Sequence, residues 1–107
     1  YNINKIMPAV CRIGDADIPH CTPMVRAQGS PDVFANGIPI SRQGDLNTVH
    51  FAPPHQQTHP ACTPHAAGIA TGSTTVFVNG KGCGRVGDGI SGCTSVAAGS
   101  SNVFAGG

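Results

Sequence analysis

The chain has 107 residues, of which 15 are glycine and 9 are proline, and it contains no tryptophan. A domain of this size buries a thin core, and this composition favours turns and short strands over long helices. Charged residues make up 10 % of the chain and the formal net charge is +1, which excludes binding to nucleic acid or to an anionic membrane through an excess of positive charge.

The N-terminal residues 1–6 fall outside every repeat in the chain, and we expect them to be a flexible lead or a remnant of expression. They lack the basic and then apolar layout of a signal peptide. No run in the chain approaches the about 18 apolar residues of a membrane-spanning helix. We therefore expect the protein to be made in the cytoplasm without a signal peptide.

Two motifs each occur three times, which indicates three copies of one structural unit. Arg-x-Gly-Asp occupies residues 12–15, 42–45 and 85–88. Gly-Ser-x-x-Val-Phe begins at Gly29, Gly72 and Gly99. Each Gly-Asp pair predicts a tight turn in which the aspartate bonds nearby backbone amides and the arginine braces the aspartate. A catalytic pair is needed once, so this repetition argues against catalysis by the Arg and Asp side chains.

Two Asn-Gly pairs, at residues 36–37 and 79–80, stand between short apolar runs. Asn-Gly is a strong signal for a β-hairpin because both central residues of the turn need positive φ. We therefore predict that Val33–Ala35 pairs with Ile38–Ile40, and that Val76–Val78 pairs with the strand that begins at Lys81.

The third copy of the unit stops at the turn Gly106-Gly107, so the strand that should follow it is missing. Residues 8–12 occupy the equivalent position before the first Arg-x-Gly-Asp motif. We expect residues 8–12 to pair with residues 102–105 and so close the chain on itself. The predicted fold class is all-β, a small conical assembly of short antiparallel strands with pseudo-threefold symmetry and termini that lie close together.

The five cysteines and five histidines form a candidate metal site. An odd number of thiols without an export signal favours metal binding or free thiols over a disulfide framework. The residues five positions after the three motif aspartates are His20, His50 and Cys93. A structural zinc takes four nitrogen or sulfur ligands, and His65, which follows Pro64, is the best fourth candidate. We predict a closed zinc site and prefer zinc to iron.

Other ligand choices compete with this set. His59, Cys62 and His65 could form a local cluster, Cys21 lies beside His20, and a Cys21–Cys62 disulfide is a further alternative. Two more cysteines, Cys11 and Cys83, lie at strand positions where a small buried apolar residue is the ordinary explanation.

Two alternative functions for the chain are a small zinc hydrolase and a disulfide-stapled binding module. We expect no enzyme, since no GxSxG, phosphate-binding loop or HExxH motif is present.

Over residues 7–107 the chain resembles the PAAR-repeat family, the spike-tip proteins of type VI secretion systems and related phage tails. The resemblance rests on Met7-Pro8-Ala9 leading to Arg12–Asp15, on both recurring motifs and on the two Asn-Gly turns. Val10-Cys11 departs from the small alanines that the family favours before the arginine, which is a modest change in packing.

The resemblance implies a single structural domain over residues 7–107, a cone of short antiparallel strands with a metal near its point. By motif position the zinc ligands are three histidines and one cysteine: His20, His50, His65 and Cys93. The implied partner is a trimeric spike of the valine-glycine-repeat type, or the phage equivalent, with one tip per trimer. Such a tip sharpens the spike for membrane puncture and leaves the cell with it. We expect any effector cargo to be carried by another chain.

Overall fold

The computed structural model describes residues 7–19, 23–49 and 66–107. Within these ranges the chain forms short antiparallel strands and contains no helix, which confirms the all-β prediction. Strand β1 (Phe34–Ala35) pairs with β2 (Ile38–Pro39), and β3 (Phe77–Val78) pairs with β4 (Lys81–Gly82). The described ranges hold no helix that is long and apolar enough to cross a membrane.

Both hairpins turn at the Asn-Gly pairs that the sequence indicates. Asn36 and Gly37 have φ of 58° and 76°, and Asn79 and Gly80 have φ of 55° and 77°. Ala35 faces Ile38 across the first turn, so only two residues connect the strands. Positive φ at both turn residues matches the twist of the flanking strands, and this explains why asparagine and glycine stand there.

The two ends of the described chain pair with each other. Ala9 forms an antiparallel bridge with Phe104. The Val10 N–H donates to the Val103 carbonyl at 2.9 Å, and the Ala105 N–H donates to the Pro8 carbonyl at 3.0 Å. Residues 8–12 therefore supply the strand that the third hairpin lacks, as predicted from the repeats.

The residues directly before the three motif arginines form a closed ring of backbone hydrogen bonds. The Cys11 N–H donates to the Gly84 carbonyl at 3.0 Å, Gly84 donates to Ser41 at 3.0 Å, and Ser41 donates back to Cys11 at 3.1 Å. Cys11 and Ser41 are fully buried. We call this group the central ring. It joins three segments that lie far apart in the sequence.

A second set of backbone bonds links each motif turn to the strand before another motif. The first turn bonds the strand before the second motif, the second bonds the strand before the third, and the third bonds the strand before the first. The donor and acceptor pairs are Ile13 to Pro39 at 3.0 Å, Gln43 to Gly82 at 2.8 Å, and Val86 to Ala9 at 2.8 Å. These three hydrogen bonds therefore link the first unit to the second, the second to the third, and the third back to the first.

The Gly-Ser motif fastens each unit to its hairpin. Each serine N–H donates at 2.8 Å to a carbonyl in the partner strand, for the pairs Ser30 to Ile40, Ser73 to Cys83 and Ser100 to Val10. Each serine Oγ accepts the N–H groups two and three residues further on. A side chain on the preceding glycine would collide with a backbone carbonyl, at 2.5 Å for Gly72. The motif is therefore a turn in close contact with a strand.

Among the described residues, most of the buried apolar side chains pack in two small clusters. One contains Val10, Ala35, Ile40, Val78, Cys83 and Ala105. The other contains Cys11, Ile69, Ile90 and Val96. Cys11 and Cys83 are both buried, which confirms their prediction as small core residues. Clusters this small bury little apolar surface. Turns, ion pairs and backbone hydrogen bonds therefore determine much of the fold.

Candidate metal centre

Of the four predicted ligands, Cys93 lies in the part of the chain that the structure describes. The predicted ligands His20, His50 and His65 lie outside the described residues, as do the alternatives Cys21, His59 and Cys62. Among the described residues, no three His, Cys, Asp or Glu side chains are grouped so that they could hold a metal ion.

A tight turn presents Cys93. The Cys93 N–H donates to the Ile90 carbonyl at 2.9 Å, and the Ile90 N–H donates to the Thr94 carbonyl at 2.8 Å. Gly92 has a φ of 60°, which glycine adopts without steric cost. The Cys93 thiol is half-buried and forms no disulfide, so its sulfur is of the type that a structural zinc site uses.

Burial and three neighbouring polar residues act on the pKa of the Cys93 thiol. Burial raises the pKa of the Cys93 thiol, and the negative charge of Asp17 acts in the same direction. A hydrogen bond from the Asn47 side chain and the positive charge of Arg26 oppose this shift and lower the pKa. A bound divalent cation deprotonates a coordinating thiol outright. A set of three histidines and one cysteine has the donor chemistry of a closed structural zinc site.

Asp17, Arg26 and Asn47 form the most deeply buried polar group in the described residues, with 1 %, 0 % and 2 % of their surface exposed. Arg26 Nη2 lies 3.2 Å from Asp17 Oδ2, and Asn47 Nδ2 donates to the same oxygen at 3.1 Å. Asn47 Oδ1 accepts the Ala67 N–H at 2.9 Å. We call these three residues the buried network. Pairing offsets the cost of burying the two charges, which would be several kcal/mol for each unpaired ion.

The buried network belongs to neither of the two repeated motifs. A signal was nonetheless present, because Asp17 and Asn47 each stand two residues after a motif aspartate, and Ile90 holds that position in the third unit. Arg26 lies outside both motifs in a chain with few charges. The positions of these residues in the sequence do not show that their side chains contact one another.

The three motif arginines clamp their aspartates as predicted. In the second unit, Arg42 Nε and Nη2 donate to the two carboxylate oxygens of Asp45 at 2.8 Å and 3.1 Å, and the Arg42 N–H donates at 2.7 Å. The same three bonds join Arg12 to Asp15 and Arg85 to Asp88. The hydrogen bond to the partner aspartate raises the pKa of Arg12 and of Arg42.

Each clamp also reaches a neighbouring hairpin turn through the arginine Nη1. The acceptors are Asn36 Oδ1 for Arg12 at 3.0 Å, Asn79 Oδ1 for Arg42 at 3.0 Å, and the Gly106 carbonyl for Arg85 at 2.9 Å. The glycine in each motif has φ near 90°, as the third residue of such a turn requires. The Arg-x-Gly-Asp motif is therefore a braced turn that also joins two units.

Three phenylalanines at equivalent motif positions are exposed, although the residue after each of them is buried. Phe34, Phe77 and Phe104 have 53 %, 59 % and 42 % of their surface exposed. A groove of about 470 Å³ lies where the two chain ends pair and is lined by Pro8, Ala9, Val86, Ser101 and Phe104. Large exposed apolar side chains that recur in this way are typical of an interaction surface.

The chain gives no match in a scan against protein-family models and none in a search of curated proteins. Its function is therefore inferred from its own motifs and contacts.

Proposed function

We propose that the chain is a structural tip that caps a trimeric β-helical spike of a contractile injection apparatus, of either the type VI secretion or the phage tail kind, and that it is not an enzyme. The observation that carries this proposal is the central ring. Cys11, Ser41 and Gly84 hold equivalent positions in the three motifs, and each donates to one neighbour and accepts from the other. One chain arranged in this way offers three similar surfaces.

The cyclic contacts support a conical body with a pseudo-threefold axis through the central ring. The turn-to-strand bonds run from the first unit to the second, third and first again. A trimer with threefold symmetry ends in three identical surfaces, and a single chain matches all three only if it repeats its own contacts three times. The closing pair of Ala9 and Phe104 completes this repetition.

For the spike contact, we infer that Phe34, Phe77 and Phe104 each meet one spike subunit. We call them the phenylalanine triad. Their equivalent positions and exposure support this role, since aromatic side chains supply a large share of the binding energy in many interfaces. Strand edges next to the triad would continue the hydrogen-bond ladder of the spike.

The proposed staple is a zinc ion held by His20, His50, His65 and Cys93. A tip that transmits contraction force must stay folded under load, and the apolar clusters of this chain are small. A structural zinc contributes binding energy of roughly 10 kcal/mol or more in small peptides, which is comparable with the whole stability of a typical domain. A metal that joins loops from all three units would therefore dominate the resistance of the tip to unfolding.

Co-purification with the trimeric spike encoded nearby tests the proposal, with zinc verified in the purified chain. Phe77→Ser should weaken binding by about tenfold to thirtyfold, and a triple serine variant of the triad by at least about a thousandfold. Leu46→Ser is the matched control, because Leu46 is also an exposed apolar residue but does not recur in the other units. Wild-type affinity in the triple variant would contradict the docking surface, and no binding by the zinc-loaded wild type would contradict the function.

Two experiments separate this proposal from its rivals. In a zinc hydrolase, one ligand position is held by water, so the cobalt-substituted chain would show exchangeable water rather than four protein ligands. In a disulfide-stapled module, Cys21 and Cys62 would be paired. Cys11, Cys83 and Cys93 form no disulfide in the structure, so thiol titration of the denatured, unreduced chain would then find three thiols. The proposed tip predicts five thiols.

A further inference from the structure

The two Asn-Gly turns carry a sequence that favours deamidation. Asparagine is among the thermolabile residues, and a following glycine leaves its own backbone nitrogen unshielded because it has no side chain. In a flexible chain this nitrogen attacks the asparagine Cγ, and the side-chain nitrogen leaves as ammonia with the proton of the glycine N–H. Water then opens the cyclic succinimide to aspartate or isoaspartate. Asn36-Gly37 and Asn79-Gly80 are exposed to solvent, so the water that this reaction needs is at hand.

Three hydrogen bonds nevertheless fix the side chain of Asn36. Its Nδ2 donates to Asn102 Oδ1 at 2.7 Å. Its Oδ1 accepts hydrogen bonds from Ser100 Oγ at 2.6 Å and from Arg12 Nη1 at 3.0 Å. Ser100 and Asn102 belong to the third Gly-Ser motif, so this carboxamide joins the hairpin turn of one unit to the motif turn of another.

The side chain of Asn79 is fixed by the equivalent three bonds. Its Nδ2 donates to Asp32 Oδ1 at 2.8 Å. Its Oδ1 accepts hydrogen bonds from Ser30 Oγ at 2.6 Å and from Arg42 Nη1 at 3.0 Å. Asp32 stands two residues after the motif serine, as Asn102 does in the third motif. The acceptor for Nδ2 is therefore a charged carboxylate at Asn79 and a neutral amide at Asn36.

These bonds oppose the first step of deamidation. The carboxamide must turn towards the glycine nitrogen and then lose its Nδ2, and both changes break the bonds to the neighbouring unit. The reaction therefore proceeds from the fraction of molecules in which the contact between the units has opened.

We propose that Asn36 and Asn79 are sites of spontaneous deamidation, and that the contacts between the units hold the reaction back in the folded chain. The modification removes the Nδ2 donor and adds a negative charge at a contact between two units. The inference depends neither on the zinc site nor on the spike.

Deamidation to aspartate has unequal consequences at the two sites. At Asn79 a carboxylate oxygen would replace the donor that now lies 2.8 Å from Asp32, so two negative charges would meet. At Asn36 the neutral Asn102 can rotate its amide and donate to the new carboxylate. The product at Asn79 should therefore weaken the contact between the units more than the product at Asn36.

The rate of deamidation tests the proposal in the full chain, folded in excess zinc or unfolded in guanidinium chloride, in the same mildly alkaline buffer. Cleavage after Arg42 places the two asparagines on separate peptides, and mass spectrometry of each peptide measures its conversion. Both sites should react about tenfold to a hundredfold more slowly in the folded chain, because their hydrogen bonds must open first. Equal rates in the folded and unfolded chain would overturn the proposal.

Two variants of exposed residues serve as controls for each other. Asp32→Ala removes the acceptor for Asn79 Nδ2, and Asn102→Ala removes the acceptor for Asn36 Nδ2. In the folded chain each variant should speed deamidation at its own site by about threefold to tenfold and leave the other site at the wild-type rate. Wild-type rates at both sites, or equal acceleration of both sites by either variant, would overturn the proposal. Should Asp32→Ala fail to fold, Asn102→Ala decides.

The melting temperature tests the unequal consequence. Asn79→Asp should melt about 4–8 °C below Asn36→Asp in excess zinc. Adding Asp32→Asn to Asn79→Asp should remove most of this difference, because one of the two facing charges is then gone. Equal melting temperatures of the two aspartate variants, or no recovery in the double variant, would show that repulsion by Asp32 is not the cause.

Discussion

Replacing Gly84 by alanine should be among the most damaging single changes in this chain. Gly84 belongs to the central ring, and an added Cβ would lie 2.5 Å from the Ser41 carbonyl oxygen and 2.7 Å from both Cys11 Sγ and Ile69 Cδ1. The first contact is with backbone, which cannot turn aside as a flexible side chain can. Overpacking of a core costs about 1–3 kcal/mol, and loss of ring hydrogen bonds adds about 1 kcal/mol each. We therefore expect Gly84→Ala to lower the free energy of unfolding by about 3–5 kcal/mol.

Urea unfolding of the zinc-loaded chain measures this loss, with Gly89→Ala as the matched control. A Cβ on Gly89 meets no atom within 4 Å. That variant should change the free energy of unfolding by no more than about 0.5 kcal/mol, or stabilise slightly by restricting the unfolded chain. If the two variants were equally stable, the close approach of three strands at the central ring would be refuted.

Asp45→Asn should cost roughly 2–3 kcal/mol in urea unfolding, because it breaks a buried clamp with Arg42 while leaving the arginine its bonds to Asn79 and Gly29; a loss below 0.5 kcal/mol would mean that the clamp is unimportant. Burial raises the pKa of Cys83 from 9.0 to about 11, so the folded state keeps a proton that the unfolded state loses above pH 9. The free energy of unfolding should then fall between about pH 9 and pH 11, by up to about 1.4 kcal/mol per pH unit from this thiol. Cys83→Ala should make that part of the profile less steep, and the remaining slope comes in part from Cys11, whose pKa burial also raises. Cys93→Ser or His20→Ala should release zinc and lower the melting temperature sharply, as metal analysis and calorimetry would show; retention of both zinc and stability would refute this choice of ligands.

Local chemistry made the hairpins and motif turns predictable. Positive φ is needed at the Asn-Gly pairs and at the motif glycines, and few residue types adopt it. The closure of the chain was also predictable, because the third copy lacks a strand and residues 8–12 supply one. Both predictions depended on short-range rules applied to a repeated pattern.

The buried network was not predictable in this way. Asp17, Arg26 and Asn47 belong to neither motif, and their meeting depends on how the three units pack. It was equally hard to predict which side chains of the hairpins are buried. Alternation places Phe34 and Ala35 on opposite faces of β1, and the structure buries the alanine while the larger phenylalanine stays exposed. In a core this narrow, the small side chain is the one that fits.

Three of the four predicted zinc ligands lie outside the described residues, so the zinc site remains a proposal based on spacing and resemblance. Cys93 is the ligand whose surroundings are described, and its turn, half-buried thiol and amide donor suit a structural metal site. The prediction of His20, His50 and Cys93 rests on their shared offset from the motif aspartates, which marks equivalent places in repeated units. His65 has no such offset, and its position after Pro64 and the resemblance to the PAAR-repeat family support it.

Native mass spectrometry of the zinc-loaded chain mixed with the trimeric spike encoded nearby tests the central claim most directly. The mass of the complex gives the number of tip chains, spike chains and metal ions at once. The proposed function predicts one tip chain, three spike chains and one zinc ion. Three tip chains per spike trimer, or no complex when zinc is verified in the free chain, would contradict it.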